Sequence, residues 1–483
     1  MTLSAPLTCA RTVPADDGLV AAIDRVTGTR PIGGNLLQHH PDSPRALDAM
    51  LELIAHAERW IHFENYIIRD DATGRRFADA LAERARAGER VRVAYDALGS
   101  FGTSRRFWRA LRAAGVEVRV FHPLLSPHLL DAIARDHRKL LVVDGARAML
   151  GGLCIGDEWA GDPARGRLAW RDTMIAVCGP GAAAADRAFA RVWEQAPGGG
   201  DAGTPLPADE LEADPAECGG SMVRIVAGAP GRARVYRAVQ LLAAAARERL
   251  WITDAYLIAP PPLYAALLDA ARSGVDVRLL VPGTSDLPVM RNFTRGGYRD
   301  LLRAGARIFE WQGPMLHAKT LLVDQRWARV GSSNLNVSSL LGNYELDLLA
   351  ECEELTAALA HQFLRDLGRS SEIVARPRRR FLPARLVRAP NPPGAPVAAE
   401  RPHKRSGYEL GAVTVVALRR VAGGVRRTLA ATAAFAFLTL GGLLLAFPRV
   451  MSILLAAGAF VVALGLGVYA AGRRRSQDAD DGA

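Results

Sequence analysis

The sequence predicts an α/β protein built as two tandem α/β/α domains that form one pseudo-twofold catalytic unit, with a transmembrane helical hairpin at the C-terminus. Three observations predict it. Apolar strands alternate with segments of helical period, and the order of these elements repeats along the chain. One pattern, H-x-K-x4-D, occurs twice, as His137 to Asp144 and as His317 to Asp324. Two long apolar runs close the chain.

Residues 1–30 read as an N-terminal segment; no apolar stretch follows a basic start, so no secretory signal is expected. The first domain spans 31–195. Ala46 to Ala57 has helical period, and Trp60 to Ile68 reads as a strand. Gly74 to Ala87 then reads as a helix, Val91 to Tyr95 as a strand, Ser104 to Ala114 as a helix and Val116 to Phe121 as a strand. The second domain, 221–375, repeats this order with Arg249 to Leu257, Tyr264 to Ser273 and Val275 to Val281, and Arg303 to Ala306 matches Arg112 to Gly115. Gly115 lies 22 residues before His137, but Gly305 lies only 12 before His317. The first copy therefore carries an insertion centred on Pro123 to Ala134. Its leucines form either a lip that touches acyl chains or a packed surface loop.

Residues 196–220, rich in Gly, Pro and acids, read as a linker, and 376–427 as a basic, Pro-rich juxtamembrane linker. Thr428 to Phe447 is 20 residues without a charge and Val450 to Gly472 is 23, each long enough to span a bilayer core, so 428–472 is expected to hold two transmembrane helices. Arginines 419, 420, 426 and 427 precede the pair, and Arg473 to Arg475 open the tail, 473–483. By the positive-inside tendency both ends, and the catalytic domains with them, are expected in the cytoplasm.

The net charge of +11 favours anionic partners, with nucleic acid and anionic lipid in competition. Five widely spaced cysteines without C-x-x-C predict neither a disulfide framework nor a zinc site, and a reducing compartment.

In each motif, His and Lys two residues apart on a strand point to the same side, and the apolar run that follows would anchor them rigidly. An imidazole beside an ammonium suits a phosphate ester: a nucleophile or proton donor next to a cation that neutralises the anion. Lysine usage supports this. The 61 Lys plus Arg residues include only three lysines, and Lys139 and Lys319 are the only two before residue 400. A compact, rotatable ammonium is selected there over a guanidinium. The expected catalytic set is His137, Lys139, Asp144, His317, Lys319 and Asp324, with the two aspartates bracing strand and turn. Ser332, Ser333 and Asn334 are expected to add hydrogen bonds to phosphate oxygens. The reaction inferred is two-step phosphodiester exchange: one histidine attacks phosphorus, the other protonates the leaving alcohol, and the lysines neutralise charge without a metal or other cofactor.

Over about residues 30 to 375 the duplicated motif resembles the phospholipase D superfamily. Asp136 to Gly145, Glu64-Asn65-Tyr66 and Trp170-Arg171-Asp172-Thr173 make it most similar to bacterial cardiolipin synthases. The resemblance implies two phospholipase D-like domains, His137 as nucleophile and His317 as acid/base, and Asp172 and Glu345 as acids that orient the histidines. Cys154 stands where the family usually has Asn. The implied activity is membrane-bound phosphatidyl transfer from one phosphatidylglycerol to another at the bacterial inner membrane, with no nucleic acid partner. Hydrolysis to phosphatidic acid is the alternative, followed by a nuclease of the same superfamily and a membrane-tethered scaffold with a relic site. The remaining histidines, His62 among them, are expected to be structural or exposed.

Overall fold

A computed structural model of the chain describes residues 7, 17–122, 134–196, 205–376 and 385–389, all within the first, Met1–Ser406, of the two units into which the chain divides. The core of the insertion, 123–133, and both apolar C-terminal runs lie outside the described residues. Among the described residues no helix is long and apolar enough to cross a membrane.

The first half contributes strands β1 (Ile32–His40), β2 (Trp60–Asn65), β3 (Arg90–Asp96), β4 (Glu117–Phe121), β5 (Lys139–Val143), β6 (Arg147–Gly151) and β7 (Met174–Cys178). The second contributes β8 (Ser221–Gly228), β9 (Arg249–Thr253), β10 (Asp276–Pro282), β11 (Arg307–Trp311), β12 (Thr320–Val323), β13 (Trp327–Gly331) and β14 (Glu345–Glu351), then β15 (Ser370–Arg376) and β16 (Arg385–Ala389). All join one sheet in the order β16-β15-β11-β10-β9-β12-β13-β14-β8-β1-β7-β6-β5-β2-β3-β4. Read outward from the antiparallel β1–β8 pair, the two halves match strand for strand as far as β4 and β11, beyond which β15 and β16 extend the second half, so the pseudo-twofold axis passes between β1 and β8. The two domains thus share a single sheet.

Helices cover both faces, which is why β5 and β12, carrying the motifs, are buried at every position and apolar after their first residue, Lys139 and Thr320, instead of alternating. Local chemistry fixes the helix ends. Asp71 caps helix Ala72–Ala87 by accepting from the Gly74 N–H at 2.8 Å, and Gly88 ends it with φ +108°, a left-handed conformation that glycine adopts without strain. Ser104 caps helix Arg105–Ala113, whose Phe107, Trp108 and Leu111 face the core. The N-terminal segment belongs to the second half: on helix Asp17–Thr27, Ile23 joins the core around β9 and β10, and Asp24 pairs with Arg224 of β8 at 2.7 Å.

Two expectations need correction. The described part of the inter-domain linker is docked. Helix Ala208–Leu211 places Glu210 fully buried against His62 Nε2 at 3.0 Å and Arg92 at 2.5 Å, while His62 Nδ1 meets Asp186 at 2.5 Å. Burial alone would lower the His62 pKa, but the two carboxylates outweigh it and raise it. Cysteine spacing also misled: Cys178, at the end of β7, forms a disulfide with Cys218, which ties the same linker down, and Cys352 is disulfide-bonded as well.

Candidate active site

Antiparallel pairing of β2 with β5 puts Asn65 opposite Lys139, so the first motif starts beside the C-terminal end of β2; β9 and β12 repeat the arrangement. Just before each motif the chain crosses to the other half. The His137 N–H donates to the Tyr344 carbonyl at 2.9 Å, and the His317 N–H to the Arg171 carbonyl at 2.7 Å. The next residue in each partner is an acid, and that acid takes the imidazole. His137 Nδ1–H faces both oxygens of Glu345 at 3.1 Å, and His317 Nδ1–H donates to Asp172 Oδ2 at 2.7 Å. Each histidine is therefore held by the opposite half, and with Nδ1 bonded to a carboxylate, Nε2 carries the reactive lone pair.

The electrostatics follow from burial. His137 is 8% exposed and His317 5%. Burial lowers the pKa of His137 and takes His317 down to about 4, helped by Lys319, and burial brings Lys319 to about 8. Burial would raise Asp172 and Glu345, but the facing histidine outweighs it in each case and both carboxyls sit below their ordinary range. Lys319 acts on His137 and Lys139 on His317, so the two motifs form one electrostatic site. An anionic phosphodiester between the lysines opposes this depression and brings an imidazole toward the range where it can carry a proton. Each lysine Nζ also donates to the carbonyl of its own motif histidine.

Asp144 and Asp324 lie at the far ends of the motif strands. Asp144 accepts from the N–H groups of Glu58, Arg59 and Trp60, and Asp324 from those of Arg247, Glu248 and Arg249, each at 2.8–3.3 Å. Both adopt positive φ, 56° and 53°, in the turn that reverses the strand. They brace the fold, away from the histidines. Ser332 Oγ donates to Glu345 at 2.5 Å and Ser333 Oγ to Asp347, so both hydroxyls position acids. Asn334 is buried with its acceptor Oδ1 unpartnered, so a bond to a phosphate oxygen would have to come from its Nδ2–H2. Its counterpart Cys154 is a buried free thiol close enough to feel both lysines, with a pKa raised by burial.

Sequence reasoning missed four contributors. Tyr66 packs its ring edgewise on His137 at 4.9 Å and under Lys139 at 5.0 Å, and Tyr256 faces His317 at 6.1 Å. Asp254, buried and pushed up to about 6, lies beside Lys319 and accepts from the N–H groups of Leu335 and Tyr256. Arg138 stitches the halves by donating to the carbonyls of Glu345, Ala188 and Gly228. The signal for the tyrosines and Asp254 was their place at the ends of the matched strands β2 and β9. Among the described residues no group of His, Cys, Asp and Glu is arranged to hold a metal ion.

Residues 50–157 and 239–367 match the family described as cardiolipin synthase, PLD-like domain. The chain is 35% identical over 346 residues to cardiolipin synthase 2 of Bacillus anthracis, covering 70% of this chain and 66% of that protein. Against cardiolipin synthase of Geobacillus thermodenitrificans it is 33% identical over 333 residues, covering 67% and 64%. The match thus spans just under two-thirds of these relatives' length. The crystal structure of phosphatidylserine synthase from Haemophilus influenzae has the same fold, with a TM-score of 0.58 at 12% identity over 74% of this chain and 92% of that one. Fold, duplicated motif and family match converge: the chain belongs to the phospholipase D superfamily and, within it, is similar to cardiolipin synthases.

Proposed function

We propose that the chain is a membrane-bound phosphatidyltransferase that makes cardiolipin from phosphatidylglycerol through a phosphohistidine intermediate. The observation that carries this reading is the pair of buried imidazoles, each held through Nδ1 by a carboxylate of the opposite half. Nε2 of His137 attacks phosphorus, the bond from phosphorus to the departing glycerol oxygen breaks, and His317 supplies the proton that this oxygen takes. His317 then removes the proton of the incoming hydroxyl, whose oxygen displaces His137 from phosphorus. Lys139, Lys319 and Asn334 hold the phosphate oxygens, and Asp172 and Glu345 stabilise the cationic imidazoles.

Hydrolysis competes at the second step, where water could take the place of the lipid hydroxyl. The near-complete burial of both histidines favours transfer, because it keeps bulk water from the intermediate. The disulfides favour the outer face of the membrane over the cytoplasmic face expected from the arginines. The test is lipid analysis in a host that lacks its own cardiolipin synthases. Cardiolipin with the wild-type chain, and none with His137→Ala or His317→Ala, supports the reading. Phosphatidic acid without cardiolipin identifies a hydrolase, and no lipid change with the protein present in membranes turns the search to nucleic acid.

A further inference from the structure

Six of the large apolar side chains left exposed come from three segments, partly loop and partly helix, around the catalytic residues. Leu98 and Phe101 lie in the loop after β3, Leu287 and Phe293 in the segment after β10, and Val337 and Leu341 after β13. Strands β3 and β10 are equivalent across the pseudo-twofold axis, so the first two segments occupy matching places in the two halves.

Each segment is joined to the site. Ser100 Oγ donates to the carbonyl of Tyr66, whose ring covers His137. Tyr256, which faces His317, donates its hydroxyl to Asp286 at 2.8 Å, next to Leu287. Asn336, preceding Val337, donates to the Tyr256 carbonyl at 3.2 Å. Phe101 is 73% exposed and Phe293 64%, while the other Phe, Tyr and Trp rings among the described residues are buried or partly buried. Beside the first loop, helix Arg105–Ala113 turns Arg105, Arg106 and Arg109 to solvent. Apolar side chains bordered by arginine match the two layers of an anionic lipid surface: acyl region below, phosphate above.

We propose that this rim docks the catalytic mouth onto an anionic phospholipid leaflet, with Phe101 and Phe293 entering the acyl boundary, so that a lipid headgroup reaches the histidines without leaving the bilayer. The inference rests on the lipid reading of the site and adds the surface through which lipid arrives.

In the full-length protein, an environment-sensitive fluorophore is attached at Phe101→Cys, at Phe293→Cys, or at Glu83→Cys, near the opposite end of the sheet. Phosphatidylglycerol vesicles should shift the first two probes to shorter wavelength and leave the third unchanged, with a weaker response to phosphatidylcholine vesicles. The double variant Phe101→Ser/Phe293→Ser should turn over vesicle lipid about 10-fold more slowly and a water-soluble phosphodiester at the wild-type rate. Rim probes that ignore vesicles, or a double variant equally slow on both substrates, would overturn the docking surface. A wild-type chain that cleaves the soluble diester but no vesicle lipid would instead remove the lipid reading itself.

Discussion

Glu345→Gln tests the cross-half pairing at the atom level. Glu345 accepts from His137 Nδ1 at 3.1 Å, from Ser332 Oγ at 2.5 Å and from Ser339 Oγ, all in a site closed to solvent. Glutamine keeps the volume but has one acceptor oxygen, so its NH2 must face one of these donors and the charge beside His137 disappears. A charge-assisted hydrogen bond contributes about 1.5–3 kcal/mol, which predicts a kcat roughly 10- to 150-fold lower. Binding should change little, because the Glu345 carboxylate is taken up by His137, Ser332 and Ser339. The sign of the pH effect is fixed as well. Glu345 raises the His137 pKa, against burial and Lys139, which lower it. Its removal lowers the imidazole further, and the acid limb of kcat/KM moves to lower pH while the plateau falls. The assay is cardiolipin formation in mixed micelles across a pH series. A kcat within about 3-fold of wild type, or a loss confined to KM, would refute the pairing as a catalytic device.

Cys178→Ser opens a loop with a sequence separation of 40, which by chain entropy should cost about 4 kcal/mol; an unchanged denaturation midpoint would mean that the bridge contributes nothing. Burial, with Arg171 nearby, pushes His39 down to about 3, and burial takes His317 to about 4, both below the ordinary 6.5. The unfolded chain then binds more protons between these values, so stability is fully present above 6.5 and declines as pH falls toward 3. Urea midpoints should drop between about pH 7 and 4.5, with a smaller drop in His39→Asn. A Cβ at Gly152 would meet Asp172 Oδ1 at 2.2 Å, so Gly152→Ala should displace the acid that holds His317 and remove most transfer activity, while a structurally neutral glycine would leave it intact.

The duplication was legible because it is written in local pattern: each half repeats strand, helix and motif in the same order, and buried strands such as Leu140 to Val143 announce themselves by unbroken apolar runs. The central pairing of β1 with β8 was not. Residues Ile32 to His40 include Gly33, Gly34, His39 and His40, which carry no strand signature, and their pairing is set by the packing of the two halves. The catalytic pairs His137–Glu345 and His317–Asp172 join residues 208 and 145 positions apart, a distance over which spacing carries no information. Resemblance supplied the acids; the structure shows that they cross between halves. Cys178 and Cys218 share no motif, and Glu210 looked like one more acid in a linker until His62 and Arg92 were found around it.

Covalent chemistry at His137 is the centre of the account, and it can be observed directly. Wild-type enzyme turning over phosphatidylglycerol is quenched in alkaline denaturant, which preserves a phosphorus–nitrogen bond, then digested and read by mass spectrometry. The prediction is a phosphatidyl adduct on the peptide that contains His137, absent from His137→Ala. Cardiolipin formation with no adduct at either motif histidine, or with the adduct on His317 alone, would contradict it.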